Sequence, residues 1–244
     1  MIFWATRVAG ETLETFLQRD FLAYEKHRQS DPEYNALRLG VRRKLKGIAD
    51  ECKKRAKTSG VNLDSQAGLH HPYSFNSFRV REQRAYLCRS KRERAKLAKF
   101  FGEALGKDAE THYIQTVIEV SLDDQVVEAA LRIHPQAWWD GECLKKKVAD
   151  PDGMASWCSM LRALPAGFGL RMHDWKKIYW ASAVNEQEMR EYFGTYTPGE
   201  HWLHLVRELP KEDAIAMEGE AAAEWLIESM LALLPIYQSI LWEP

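Results

Sequence analysis

The chain has 244 residues, 45% hydrophobic and 11% aromatic, a composition that supports a sizeable core and excludes a disordered tail. Its 34 Lys and Arg almost balance 35 Asp and Glu, which argues against a dedicated nucleic-acid binder, since that class calls for a strongly basic domain. No apolar run approaches the roughly 20 residues that cross a bilayer, so no membrane partner is expected.

The N-terminal stretch Met1 to Arg7 lacks the basic start, apolar centre and small-residue cleavage site of an export signal. Cys52, Cys88, Cys143 and Cys158 are widely spaced and form no CxxC, so they read as reduced thiols. A cytoplasmic location is the expectation.

The overall balance hides a polarity. Residues 1–110 sum to about +9 and residues 111–244 to about −10. We therefore expect a basic, mainly helical part over 1–110 and an acidic α+β part over 111–244. No flexible linker separates them near 106–112, which favours one continuous globular body.

Leu13, Phe16, Leu17, Phe21 and Tyr24 fall at helical spacing and predict a helix over 10–28, broken by Asp31-Pro32. Leu37, Val41, Leu45, Ile48 and Cys52 predict a second, ended by Thr58-Ser59-Gly60. The turn formers of Asn62 to Ser77 predict irregular chain. Ser90 and Glu93 match a capping box and start a third helix, with Leu97, Phe100, Phe101 and Leu105 on its buried side.

From Thr111 the period changes to alternation. Thr116 to Leu122 and Val126 to Ile133, joined by Asp123-Asp124-Gln125, predict an antiparallel hairpin. Phe168 to Met172 and Ile178 to Val184 predict a second around Asp174-Trp175-Lys176, and Trp202 to Val206 a fifth strand. Helices are expected at 153–164, at 186–193 with Asn185 and Glu188 as its cap, and at 218–234 before Pro235 stops it. The apolar stretch from Leu233 to Trp242 is expected to pack back on the sheet, with a subunit contact as the alternative. The expected fold is α+β: a basic helical N-terminal part followed by an antiparallel sheet of about five strands with flanking helices.

Two basic segments, Arg38 to Lys57 and Arg79 to Lys99, carry the first functional candidates. Arg38, Arg42, Arg43, Lys46, Arg84, Arg89, Arg92 and Arg94 would displace counterions from a phosphate backbone, and interleaved Tyr73, Phe75, Phe78 and Tyr86 would stack on unpaired bases. The competing expectation is a solvated helix face, or one docked against the chain's own acidic half.

Carboxylates carry the second. A metal-dependent nuclease needs acids and a lysine converging on a strand to hold a divalent ion and activate water. Glu119, Glu128, Asp140, Glu142 and Lys145 are the residues available for that reading. Glu119 and Glu128 lie on paired strands, and with Arg132, Arg171 and His204 they are expected to form a polar cluster on one sheet face.

Metal sites have weaker support. His201 and His204 form HxxH in a strand pattern, where those positions face opposite ways, and His70-His71 lack a neighbouring ligand. No GxxxxGK[ST], GxGxxG or GxSxG occurs. Neither metal nor cofactor is expected. Trp138-Trp139 cannot easily bury both rings on one side, so one of them is expected at an edge, a groove or a partner surface, and the two are the partner-binding candidates.

The function expected from this pattern is a non-enzymatic binding, regulatory or adaptor subunit. A protein partner would meet its acidic, Trp-rich half, with nucleic acid as the second candidate partner for the basic helices. The rival is a metal-dependent nuclease or other hydrolase using the five residues above.

Overall fold

A computed structural model describes residues 13–101, 113–172 and 175–241. The first residues of the expected opening helix, Leu105, Thr111, Asp174 and Trp242 lie outside the described residues, as do the side chains of Phe75, Phe100 and Phe101.

The opening helix is much shorter than its apolar spacing suggests: α1 covers Gln18–Leu22 only. Phe16, Phe21 and Tyr24 are still buried. The chain after α1 turns because a side chain, not a helix, satisfies its carbonyls. The Arg38 guanidinium donates to Ala23 O at 3.3 Å, Arg28 O at 2.6 Å and Asp31 O at 2.9 Å. The second helix, α2, spans Asn35–Thr58. Its predicted stripe of Val41, Leu45, Ile48 and Cys52 is buried, and Gly60, at φ +83°, takes the left-handed turn beyond its end.

The basic half is less helical than expected. Strand β1 (Leu63–Ala67) lies in the supposed irregular segment, and β2 (Gln83–Arg89) replaces part of the second basic segment. Helix α3 (Lys91–Phe101) follows with the predicted box: Ser90 N–H donates to Glu93 at 2.8 Å, and Glu93 N–H reaches Ser90 Oγ at 3.4 Å. Strands β3 (Val117–Leu122) and β4 (Val126–Ile133) form the predicted hairpin. Asp123 holds its turn by accepting the N–H groups of Gln125 and Val126 at 2.7 and 2.9 Å.

Two helices follow, α4 (Trp138–Ala149) and α5 (Pro151–Arg162). The corner between them is tight enough that a Cβ on Gly153 would sit 1.9 Å from the Lys147 carbonyl oxygen. Gly153→Ala must therefore prise α5 off α4, and we expect a loss of roughly 1–3 kcal/mol, measured by urea denaturation. An unchanged midpoint would mean that the corner yields freely.

Strands β5 (Phe168–Met172) and β6 (Tyr179–Trp180) make the second hairpin, with β6 shorter than predicted. Helix α6 (Glu186–Thr195) carries the predicted Asn185–Glu188 cap. Strand β7 (Leu203–Pro210) runs four residues past its predicted end. Helices α7 (Lys211–Ala216), α8 (Ala221–Ala232) and α9 (Leu234–Ile240) close the chain. Pro235 does end α8's run but also opens α9, in whose first turn a missing N–H costs nothing. Leu234, Ile236, Tyr237 and Ile240 are buried, so this apolar segment packs into the core.

The fold is α+β. The sheet has seven antiparallel strands among the described residues, in the order β1-β2-β3-β4-β7-β5-β6. Alternation gives it two unlike faces. Ala85, Leu87, Ile118, Val120, Val127, Ala129, Leu131 and Leu205 enter the core, with α2 over β1 and β2 and α8 over β3 and β4. The opposite face carries the charges.

Candidate functional site

The register puts Ser121 opposite Glu128, Glu119 opposite Ala130, and Arg132 opposite both Val117 and His204. Glu119 and Glu128 thus do not face each other directly. Arg132 joins them, with Nε 2.6 Å from Glu119 and an Nη donating to Glu128. Ser121 Oγ donates to Glu128 at 3.0 Å, and His204 Nε2 lies 3.6 Å from the same carboxylate. Arg171 pairs with Glu208 at 2.8 Å. Beside this network lies a polar pocket of about 220 Å³, lined by Glu82, Ser121, Asp123, Glu128, Arg132, Arg171 and Glu208, with Val126 its apolar wall.

Burial favours a protonated Glu128, but Arg132, His204 and Ser121 outweigh it and hold the carboxyl well below the usual range. Burial also opposes the charge on Arg132, which Glu119 and Glu128 hold raised. For His204, burial and then Arg132 lower the imidazole pKa against the pull of Glu128. Glu128 is therefore held ionised beside a fixed cation, with His204 disfavoured as a proton acceptor. On the pocket wall, burial instead raises the carboxyl of Asp123.

The other three residues of the hydrolase reading stand elsewhere. Asp140 is fully buried and accepts two bonds from Arg89, at 2.6 and 3.0 Å, plus the N–H and hydroxyl of Thr116 at 2.9 and 2.8 Å. It ties α4 to β2 and to the start of β3. Glu142 is partly exposed on α4, where burial, Asp140 and then Glu142 raise the Tyr196 hydroxyl. Lys145 donates to Tyr196 O at 2.7 Å. Glu119 and Glu128 meet an arginine, not Lys145, and no group of three or more His, Cys, Asp or Glu suited to a metal ion occurs among the described residues. His201 Nδ1 accepts the Thr197 N–H at 3.0 Å, apart from His204 in the network.

The basic candidates separate into engaged and exposed. Arg38 and Arg89 are buried, the first on backbone carbonyls and the second on Asp140, so neither guanidinium faces a phosphate. Arg42 donates to Gly68 O at 2.9 Å, Lys46 pairs with Asp50, Arg84 with Glu82, and Arg94 with Asp64 at 3.0 Å. Arg55 bonds Glu224 twice at 2.8 Å, across the two charge halves. Only Arg43 and Arg92 of the eight are exposed, and neither has an ion pair among the described residues.

The tryptophan pair divides as expected: Trp139 is 4% exposed and Trp138 48%. Trp138 opens α4 just beyond β4, and its Cβ lies 3.8 Å from the point where a Cβ on Gly199 would stand. At the same end of the sheet, where Ile133, Leu203 and Met172 lie side by side, His134 packs edge-on against Trp202 and Tyr113, with centroids 4.1 and 4.6 Å apart. Exposed Trp175 follows β5 there. This aromatic rim was not foreseen from the sequence, because its members come from four separated connections. Ser121, Asp123 and Glu208 were also missed, though strand register alone places Ser121 and Glu208 beside Glu128.

No helix among the described residues is long and apolar enough to cross a membrane. No protein-family model matches the chain, and no curated protein is similar to it.

Proposed function

We propose that the protein is a non-enzymatic binding or adaptor subunit that docks a protein partner with its acidic, aromatic-rich half. The carrying observation is the aromatic rim at one end of the sheet, where exposed Trp138 and Trp175 flank the packed rings of Tyr113, His134 and Trp202. Rigid aromatic side chains lose little entropy on binding and dominate interface energetics. The excess of acids over residues 111–244 favours a partner with a basic contact surface. The ion network on the polar face supports the same reading, since its carboxylates are committed to Arg132.

The test is affinity capture of the tagged chain from its native host after nuclease treatment, followed by titration of the captured protein. Trp138→Ala is expected to weaken binding about 30-fold, the equivalent of about 2 kcal/mol, with the thermal midpoint nearly unchanged. Capture of no stoichiometric protein, or equal affinity for the variant, would overturn the proposal.

A further inference from the structure

The loop from Tyr73 to Arg81 holds two successive residues, Ser77 and Phe78, in the left-handed region at φ +53° and +56°. Side chains other than Gly and Asn rarely adopt it, and strain of this kind gathers at functional sites. The loop is pinned there. Tyr73 O accepts the N–H groups of Asn76 and Phe78 at 3.1 and 2.8 Å, Asn76 Oδ1 accepts Tyr73 N–H at 2.7 Å, and Val80 N–H reaches Gln29 O at 2.9 Å. Burial of the ring would offset the strain, but Phe78 is 63% exposed. Tyr73, at the other side of the turn, is 49% exposed. The fold thus spends backbone strain to present a ring to solvent.

The charges within the loop are all of one sign. Arg79 and Arg81 are exposed on the loop. Arg79 and Arg81 have no ion pair among the described residues, whereas the adjoining Glu82 is paired with Arg84. Internal partners engage most of the cations of α2 and β2 and leave those of this loop open.

We propose that the loop 73–81 is a contact site for single-stranded nucleic acid, Phe78 and Tyr73 stacking on bases and Arg79 and Arg81 meeting phosphates. Unpaired bases offer faces to such rings, and a duplex hides them. Ser74, Asn76 and Ser77 alternate with the aromatic residues Tyr73, Phe75 and Phe78, so the segment interleaves polar and aromatic residues and is not a continuous apolar run of the kind a membrane contact needs. This surface is separate from the aromatic rim, and the proposal does not depend on the protein-partner reading.

The experiment is fluorescence anisotropy of the intact protein with a labelled mixed-sequence single strand of about 15 nucleotides, as DNA and as RNA, against its duplex. Single strands are expected to bind more tightly than duplex at about 50 mM salt. Phe78→Ser should weaken binding about 10-fold, and Phe78→Trp should restore it. An Arg79→Ala, Arg81→Ala variant should flatten the salt slope by about 0.7 for every phosphate it no longer neutralises. All variants should keep the wild-type thermal midpoint, because these side chains lie in solvent. Absent binding, equal affinity for duplex, indifference to Phe78, or capture by phosphatidylserine vesicles in place of oligonucleotides would each overturn the proposal.

Discussion

Asp140→Ala is expected to cost about 3–5 kcal/mol of unfolding free energy, the loss typical of a buried ion pair deprived of one partner. The Arg89 side chain is only 4% exposed and keeps its charge at neutral pH: burial opposes that charge, and Asp140 overrides the effect. Without Asp140 the guanidinium loses the carboxylate that receives two of its bonds, and the Thr116 N–H and hydroxyl lose their acceptor. Arg89→Met leaves the converse defect, a buried carboxylate still bonded by Thr116 but deprived of the Arg89 cation. A combined Arg89→Met, Asp140→Leu variant should recover part of the loss, since apolar groups of similar volume replace buried pairs at little cost. Urea denaturation of the two single variants and the double checks all three values. Wild-type stability in Asp140→Ala would show that the tether between α4, β2 and β3 holds nothing, and would return Asp140 to the pool of functional carboxylates.

That tether also shows where the sequence was legible. Strong periodicity located α2, and local chemistry located the Ser90–Glu93 and Asn185–Glu188 boxes, because a cap is a contact between residues three apart. The β3–β4 hairpin was readable for the same reason, from alternation and an Asp-rich turn. Long-range partners were not. Leu63-Asp64-Ser65-Gln66-Ala67 has one buried residue and becomes a strand only because β2 pairs with it. In β2, Arg84 and Arg89 looked like surface charge, yet they point to opposite faces and find Glu82 and Asp140. Arg38 sat in a row of helical cations, and only the fold brings carbonyls 23, 28 and 31 around it. Of the polar cluster, Glu119, Glu128, Arg132, Arg171 and His204 were foreseen together because strand parity places them on one face. The direction of their pairing, with Arg132 as the common cation, required the register. Charge counting along the chain could not separate paired arginines from open ones, which is why the eight basic candidates divide so unevenly.

Arg132→Met is expected to lower stability by about 3–5 kcal/mol at pH 7, and the size of that loss should depend on pH. Glu119 is fully buried and Glu128 nearly so, and Arg132 is the guanidinium in contact with both. In the wild type, Glu128 has a folded pKa depressed below its unfolded value of about 4.3, so its stabilisation is present above that pH and is lost as pH falls through the folded value. His204 has a lowered folded pKa. Protons therefore bind the unfolded chain first below about 6.5, and acidification removes stability there as well. Both groups make the wild type weaken as pH falls. The variant lacks the cation that depresses Glu128, and a protonated carboxyl needs no counter-charge, so its deficit relative to wild type should shrink below about pH 4.3. Denaturant titrations of both proteins at neutral and acidic pH measure that difference. A deficit that stays constant across the range would show that Arg132 acts through packing of its stem, and the polar sheet face would then owe its order to shape and not to charge.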